Sequence, residues 1–174
     1  MNFKLNEAVE LLGRTPKALE GLLLGVSDEW LYCNEGEGSW NVFEIITHLI
    51  EAERNNWIPR LEHMISDEEQ RTLPPFDRFS HLLLNEHGTM DEKLLAFKSI
   101  RAQSIGRLVK LTERESVWEK TGIHPEFGEV NVSQLISTWV VHDLTHMAQI
   151  VRVLAKRYDA DVGPWKEYLS ILHR

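Results

Sequence analysis

The chain has 174 residues, 43% of them hydrophobic and 26% charged, with a formal net charge of -8 and a pI near 5.5. That length suits one domain with a substantial core, and the acidic balance excludes the basic face a nucleic-acid binder needs. The N-terminus shows no signal-peptide pattern, no apolar run is long enough to span a membrane, and the single cysteine, Cys33, permits no intrachain disulfide and points to a reducing cytoplasm.

Leu5, Val9 and Leu12 start an amphipathic helical pattern that Leu19, Leu22 and Leu23 continue. Thr15-Pro16 interrupts it, so the stretch is either two short helices or one kinked at Pro16. Residues 26–39 are a polar connection containing Cys33, with no base beside the thiol to make it a nucleophile. A second helix opens near Ser39 to Asn41, where Asn41 and Glu44 have capping-box spacing. It runs to about Met64, with a bend expected at Pro59.

Residues 66–88 form a long crossover containing Pro74-Pro75. Thr89 and Glu92 open a third helix that reaches about Leu111. Thr112 to Val130 is a second long connection, without β-alternation of useful length, and it contains His124-Pro125-Glu126-Phe127-Gly128. Asn131 with Gln134 caps a fourth helix extending to about Tyr158. Beyond Gly163-Pro164, residues 165–172 form a short C-terminal helical segment. The predicted fold is all-α: a single-domain four-helix bundle over residues 1–174 with long crossovers.

The chemistry concentrates on the fourth helix. His142 and His146 are four residues apart and project from one face, stacked a turn apart. They interrupt a core stripe running Leu135, Trp139, His142, His146, Gln149, Val153. Imidazoles in an apolar stripe need partners for both ring nitrogens, and the pair's spacing suits a metal ion. The second helix offers a third ring, His48, which meets the pair if the two helices are neighbours. Glu44, Glu51 and Gln149 are placed to orient the rings by hydrogen bonds. His124 sits on a loop able to reach the bundle mouth and offer an acid/base group. Asp143 points about 100° away from His142 and is not its partner. His63, His81, His87 and His173 lie near helix ends or in polar segments, where solvation is the default. A di-iron carboxylate bundle needs Glu-x-x-His on two helices, and the chain has none.

Ser39-Trp40-Asn41-Val42-Phe43-Glu44 leading to His48-Leu49, and Trp139 followed by His142-Asp143-x-x-His146-x-x-Gln149, resemble the DinB/YfiT-like family of metal-dependent helical bundle proteins. The His124-Pro125-x-Phe127-Gly128 loop and residues 19–27 add to the likeness, which covers nearly the whole chain. The resemblance implies a four-helix bundle with His48, His142 and His146 as ligands. It also implies relatives among thiol-dependent S-transferases and isomerases, alongside proteins named as metal-dependent hydrolases.

Three imidazoles without thiolate or carboxylate favour a borderline divalent ion, Zn²⁺ or Ni²⁺ first. The first functional expectation is an enzyme whose metal activates a low-molecular-weight thiol for S-transfer to a small electrophilic substrate. A metal-hydroxide hydrolase is the alternative, because one open site serves both. From another class comes a metal-stabilised interaction or regulatory module without turnover. The wide apolar surface of the last helix, with Ile136, Val140, Leu144, Met147, Ile150, Val151 and Leu154, predicts a homodimer.

Overall fold

A computed structural model describes residues 2–66, 72–83 and 88–173. In chain order the helices are α1 (Leu5–Leu23), a single turn α2 (Asp28–Leu31), α3 (Val42–Asn55), α4 (Trp57–Ile65), α5 (Met90–Leu111) and α6 (Val132–Lys156). A short hairpin, β1 (Thr121–His124) and β2 (Gly128–Asn131), precedes α6, and 3-10 turns occupy Ser80–Leu83, Glu115–Glu119, Gly163–Tyr168 and Ser170–Leu172. His87 lies outside the described residues.

Three of the long helices begin where side chains satisfy their first N–H groups. Asn41 Oδ1 accepts from Glu44 N at 2.9 Å while Glu44 Oε2 accepts from Asn41 N at 2.8 Å. The pairs Thr89/Glu92 and Asn131/Gln134 repeat the reciprocal arrangement, each cap being worth about 1 kcal/mol. Pro16 and Pro59 have different effects. Pro16 is buried inside a continuous α1, so the two-helix alternative does not occur. Pro59 breaks the second helix three residues upstream, at Asn56, because its ring clashes with the carbonyl four residues back, that of Asn55. The helix therefore divides into α3 and α4.

α1 packs on α5 and α6, and α3 packs on α5 and α6, so α3 and α6 are neighbours. This is the four-helix bundle. The hairpin departs from the sequence expectation of an irregular connection, its strands of four residues being too short to show alternation. It turns on Gly128 at φ 75°, a left-handed position cheap only for glycine. Gly122 lies so close to Met64 and Leu73 that a Cβ would meet both at 2.8 Å. Leu73 N also donates to Ile123 O at 2.8 Å, which ties the crossover to the hairpin.

The apolar core has two parts. One gathers Leu12, Trp57, Leu61, Leu108, Ile136 and Trp139; the other gathers Leu19, Ile46, Ile50, Phe97, Ile150 and Val153. Between them every long helix carries polar side chains: Thr15 on α1, His48, Glu51 and Glu53 on α3, Arg101 and Ser104 on α5, and His142, Asp143 and His146 on α6. The result is a polar belt across the middle of the bundle.

Candidate metal centre

One part of the belt is an ion network. Arg101, 1% exposed, donates from Nη1 to Asp143 Oδ2 at 2.6 Å and from Nη2 to Asp143 Oδ1 at 3.0 Å. Nη2 also reaches Glu53 Oε1 at 2.7 Å, an oxygen that accepts from Trp139 Nε1 at 2.8 Å. Burial, with help from the Asp143 charge, pushes the Glu53 carboxyl upward against the pull of Arg101. One cation is thus shared by two carboxyl groups, and Asp143 belongs to Arg101, in keeping with its direction away from His142.

The other part is the histidine cluster. The α3–α6 contact places His48 Nε2 3.1 Å from His142 Nε2. Ring centroids are 4.7 Å apart for His48–His146 and 4.4 Å for His142–His146. One donor nitrogen from each of the three rings lies within 4.8 Å of the others. Nitrogens that share one ion at 2.0–2.1 Å are roughly 3 Å apart, so the cluster fits a small divalent cation after slight closure.

The protonation states suit ligation. Burial first, then repulsion among the rings, pushes His48 and His142 down to about 3, and burial also lowers His146. All three are neutral bases near pH 7. His146 Nδ1 donates to Gln149 Oε1 at 2.8 Å, which fixes that tautomer and leaves Nε2 with its lone pair. Gln149 stands where the sequence put it, beside a ring.

Aromatic walls complete the site. Trp57 meets His142 edge-on at 5.0 Å and stacks on Trp139 at 5.8 Å. Trp40 touches His48 at 5.0 Å and stacks over His146 at 6.1 Å. Trp40 precedes the α3 cap, outside the helix, so helical spacing does not reveal its contact with His48 and His146.

The remaining candidates stand elsewhere. Glu44 is occupied in the α3 cap, and Glu51, 8% exposed, accepts from Arg54 Nη1 at 3.0 Å and Asn55 Nδ2 at 2.9 Å. Neither is hydrogen-bonded to the three rings among the described residues. His124 ends β1, stacks on Phe127 at 4.5 Å and accepts from Glu126 N at 3.2 Å through Nδ1. It lines a cavity of about 200 Å³ with Asn56, Trp57 and Arg60; the three rings do not line this cavity, but it adjoins their cluster through Trp57, which also meets His142. His173 is exposed and His63 half-buried.

His81 is a correction. Rather than being solvated it is 3% exposed, because the 3-10 turn Ser80–Leu83 folds back onto α3. Its ring lies 4.3 Å from Trp40 and 5.0 Å from His48. No periodicity in the crossover signals this; it follows from how the loop closes. The thiol of Cys33 donates to the Trp30 carbonyl at 3.1 Å, and burial raises its pKa, so it is no nucleophile.

Comparison with known proteins agrees with this architecture. Two Oceanobacillus iheyensis proteins whose names propose metal-dependent hydrolases are similar to the chain. The first is 26% identical over 159 residues, covering 91% of this chain and 90% of the relative. The second is 27% identical over 128 residues, covering 72% and 70%. Among solved structures, YfiT from Bacillus subtilis, proposed to be a metal-dependent hydrolase with an unusual four-helix bundle topology, superposes with a TM-score of 0.74 at 17% identity. That match covers 88% of this chain and 87% of YfiT and speaks for the fold. The DinB superfamily model matches residues 11–150, and the chain belongs to the DinB superfamily.

Proposed function

We propose that the protein is a divalent-metal-dependent enzyme in which His48, His142 and His146 hold the ion. The observation that carries this reading is the convergence of three neutral imidazoles, with His48 Nε2 and His142 Nε2 3.1 Å apart. A borderline ion such as Zn²⁺ or Ni²⁺ bound there by three protein ligands would supply Lewis acidity to a small nucleophile. The chain's own contribution is to keep the rings neutral by burial, to fix His146 through Gln149, and to wall the site with Trp40 and Trp57.

The first reading of the nucleophile is a low-molecular-weight thiol transferred to an electrophile. It is supported by Arg60, which lines the cavity beside Trp57 and donates to the Pro74 carbonyl at 3.0 and 3.2 Å. Among the described residues no carboxylate pairs with it, so it is available to a carboxylate on the thiol. The second reading is hydrolysis, supported by the names of the relatives. His124, in the same cavity, is the candidate acid/base group for either. We also propose a homodimer and a cytoplasmic setting; among the described residues no helix is long and apolar enough to cross a membrane.

The test is turnover of a chromogenic electrophile and of activated esters by metal-loaded protein, with and without thiols. Thiol-dependent consumption of the electrophile supports transfer. Thiol-independent ester cleavage supports hydrolysis. Metal bound stoichiometrically without turnover of either supports an interaction module.

A further inference from the structure

His81 has a requirement that no hydrogen bond among the described residues meets. The ring is 3% exposed, and neither Nδ1 nor Nε2 has a hydrogen-bond partner among the described residues. A neutral imidazole brings one donor and one acceptor, and leaving both buried and unmade is costly. Burial disfavours its protonated form; the Arg78 backbone beside it favours that form without reaching hydrogen-bond geometry, and Glu44 and Glu51 favour it from a distance. Glu44 Oε2 is held by Asn41 N, and both Glu51 oxygens are held by Arg54 and Asn55.

The ring nevertheless lies against the histidine cluster and its aromatic wall. It lies edge-on to Trp40, the wall shared by His48 and His146, and its centroid is 5.0 Å from that of His48. Phe76, 6.0 Å from His48, and Phe79, 6.0 Å from Trp40, come from the same crossover and close that side with apolar surface. His81 is not a member of the tight ligand set formed by His48, His142 and His146. It stands just outside.

We propose that His81 is a fourth histidine of the centre that does not ligate the ion but hydrogen-bonds the small ligand, water or anion, occupying its open side. This rests on the three-histidine reading and extends it to a residue on the crossover. Its ring accepts from a donor such as water and donates N–H to an anion. The Ser80–Leu83 turn thereby becomes part of the binding site.

Co²⁺ and azide provide the test. Wild-type protein, His81→Phe and His81→Gln are loaded with Co²⁺, the metal affinity is measured, and azide is titrated against the visible Co²⁺ spectrum. Phenylalanine keeps the ring packing against Trp40 and removes both hydrogen-bonding atoms; glutamine keeps a donor. The expected result is Co²⁺ affinity near wild type in both variants, azide affinity lowered on the order of tenfold or more in His81→Phe, and partial recovery in His81→Gln. Should His81→Phe lose helical circular dichroism, His81→Leu carries the same comparison. Unchanged azide affinity with Co²⁺ retained overturns the proposal and leaves the three-histidine site standing. Loss of Co²⁺ from His81→Phe as severe as from His142→Ala overturns it by making His81 a direct ligand. Failure of the wild type to bind Co²⁺ overturns the three-histidine reading itself, and this one with it.

Discussion

Arg101 donates from Nη1 to the carbonyl of Leu12 at 2.9 Å, the oxygen that Pro16 leaves without its helical donor. The same guanidinium holds Asp143 and Glu53, so one side chain joins α1, α3, α5 and α6 across the belt. Replacing it with methionine strands two buried carboxyl groups and one buried carbonyl. Arg101→Met is expected to destabilise the protein by about 3–5 kcal/mol at pH 7, because a broken buried pair leaves uncompensated charge. The loss should shrink at lower pH, where Glu53, whose carboxyl burial pushes upward, takes up a proton. Urea unfolding at pH 7 and pH 5 measures both effects; a shift below 1 kcal/mol at pH 7 removes the structural role.

The site and the scaffold separate in the ligand variants. His48→Ala, His142→Ala and His146→Ala are each expected to weaken metal binding by more than the roughly 100-fold upper end for losing an outer partner. Helical circular dichroism should persist, since both apolar clusters are intact without the ion. His63→Ala and His173→Ala should leave metal stoichiometry unchanged. Full affinity in His48→Ala would show that α6 suffices alone, and collapse of all three ligand variants would make the metal structural.

Gln149 gives a finer reading of the same centre. Its Oε1 holds the Nδ1 proton of His146 at 2.8 Å. Gln149→Leu removes that acceptor without touching a ligand, and metal affinity should fall roughly 10–100-fold. Gln149→Glu keeps the acceptor and should retain most of the affinity. Competition with a chromogenic chelator distinguishes the two variants; equal affinities would make the contact incidental.

The parts of this protein that were legible in its sequence are those whose partners are near neighbours in the chain. Asn41 and Glu44, Thr89 and Glu92, and Asn131 and Gln134 announce three helix starts because both members of each box lie within one turn. His142, His146 and Gln149 lie on one face for the same reason. His48 is a candidate because apolar residues flank it on the second helix, although its contact with His142 spans 94 positions. Arg101 announces nothing locally: its partners Asp143, Glu53 and Leu12 are 42, 48 and 89 positions away. His81 is hidden for a related reason, since only the path of the crossover puts a histidine from a polar stretch under Trp40.

The apolar surface expected on α6 divides between two uses. Ile136 and Ile150 are core, while Val141, Leu144 and Val151 remain 59%, 45% and 43% exposed along one outward stripe. A self-complementary contact along that stripe is the proposed dimer interface. Sedimentation at micromolar concentration should show a dimer. Val141→Asp and Leu144→Asp should each shift it toward monomer with circular dichroism unchanged. A wild-type monomer at that concentration removes the argument.

The histidine cluster should also make the metal-free protein sensitive to acid. His48 and His142 are held at about 3 in the folded state, against an ordinary value of 6.5. Between those values the unfolded chain binds protons that the folded one refuses. Stability therefore rises with pH across this window and is lost as the pH falls from about 6.5 toward 3, by at most about 1.4 kcal/mol per pH unit for each group. His146 and His81, also lowered by burial, add in the same direction. Glu53, whose carboxyl is raised, opposes the trend, so the histidine contribution is taken as a difference. In the presence of chelator, the urea midpoint of the wild type should fall between pH 7 and pH 5 more steeply than that of His142→Phe, which lacks one of the titrating rings. Parallel pH profiles for the two proteins would mean that the cluster accepts protons in the folded state as readily as free imidazole, and the burial that prepares the rings as ligands would lose its effect.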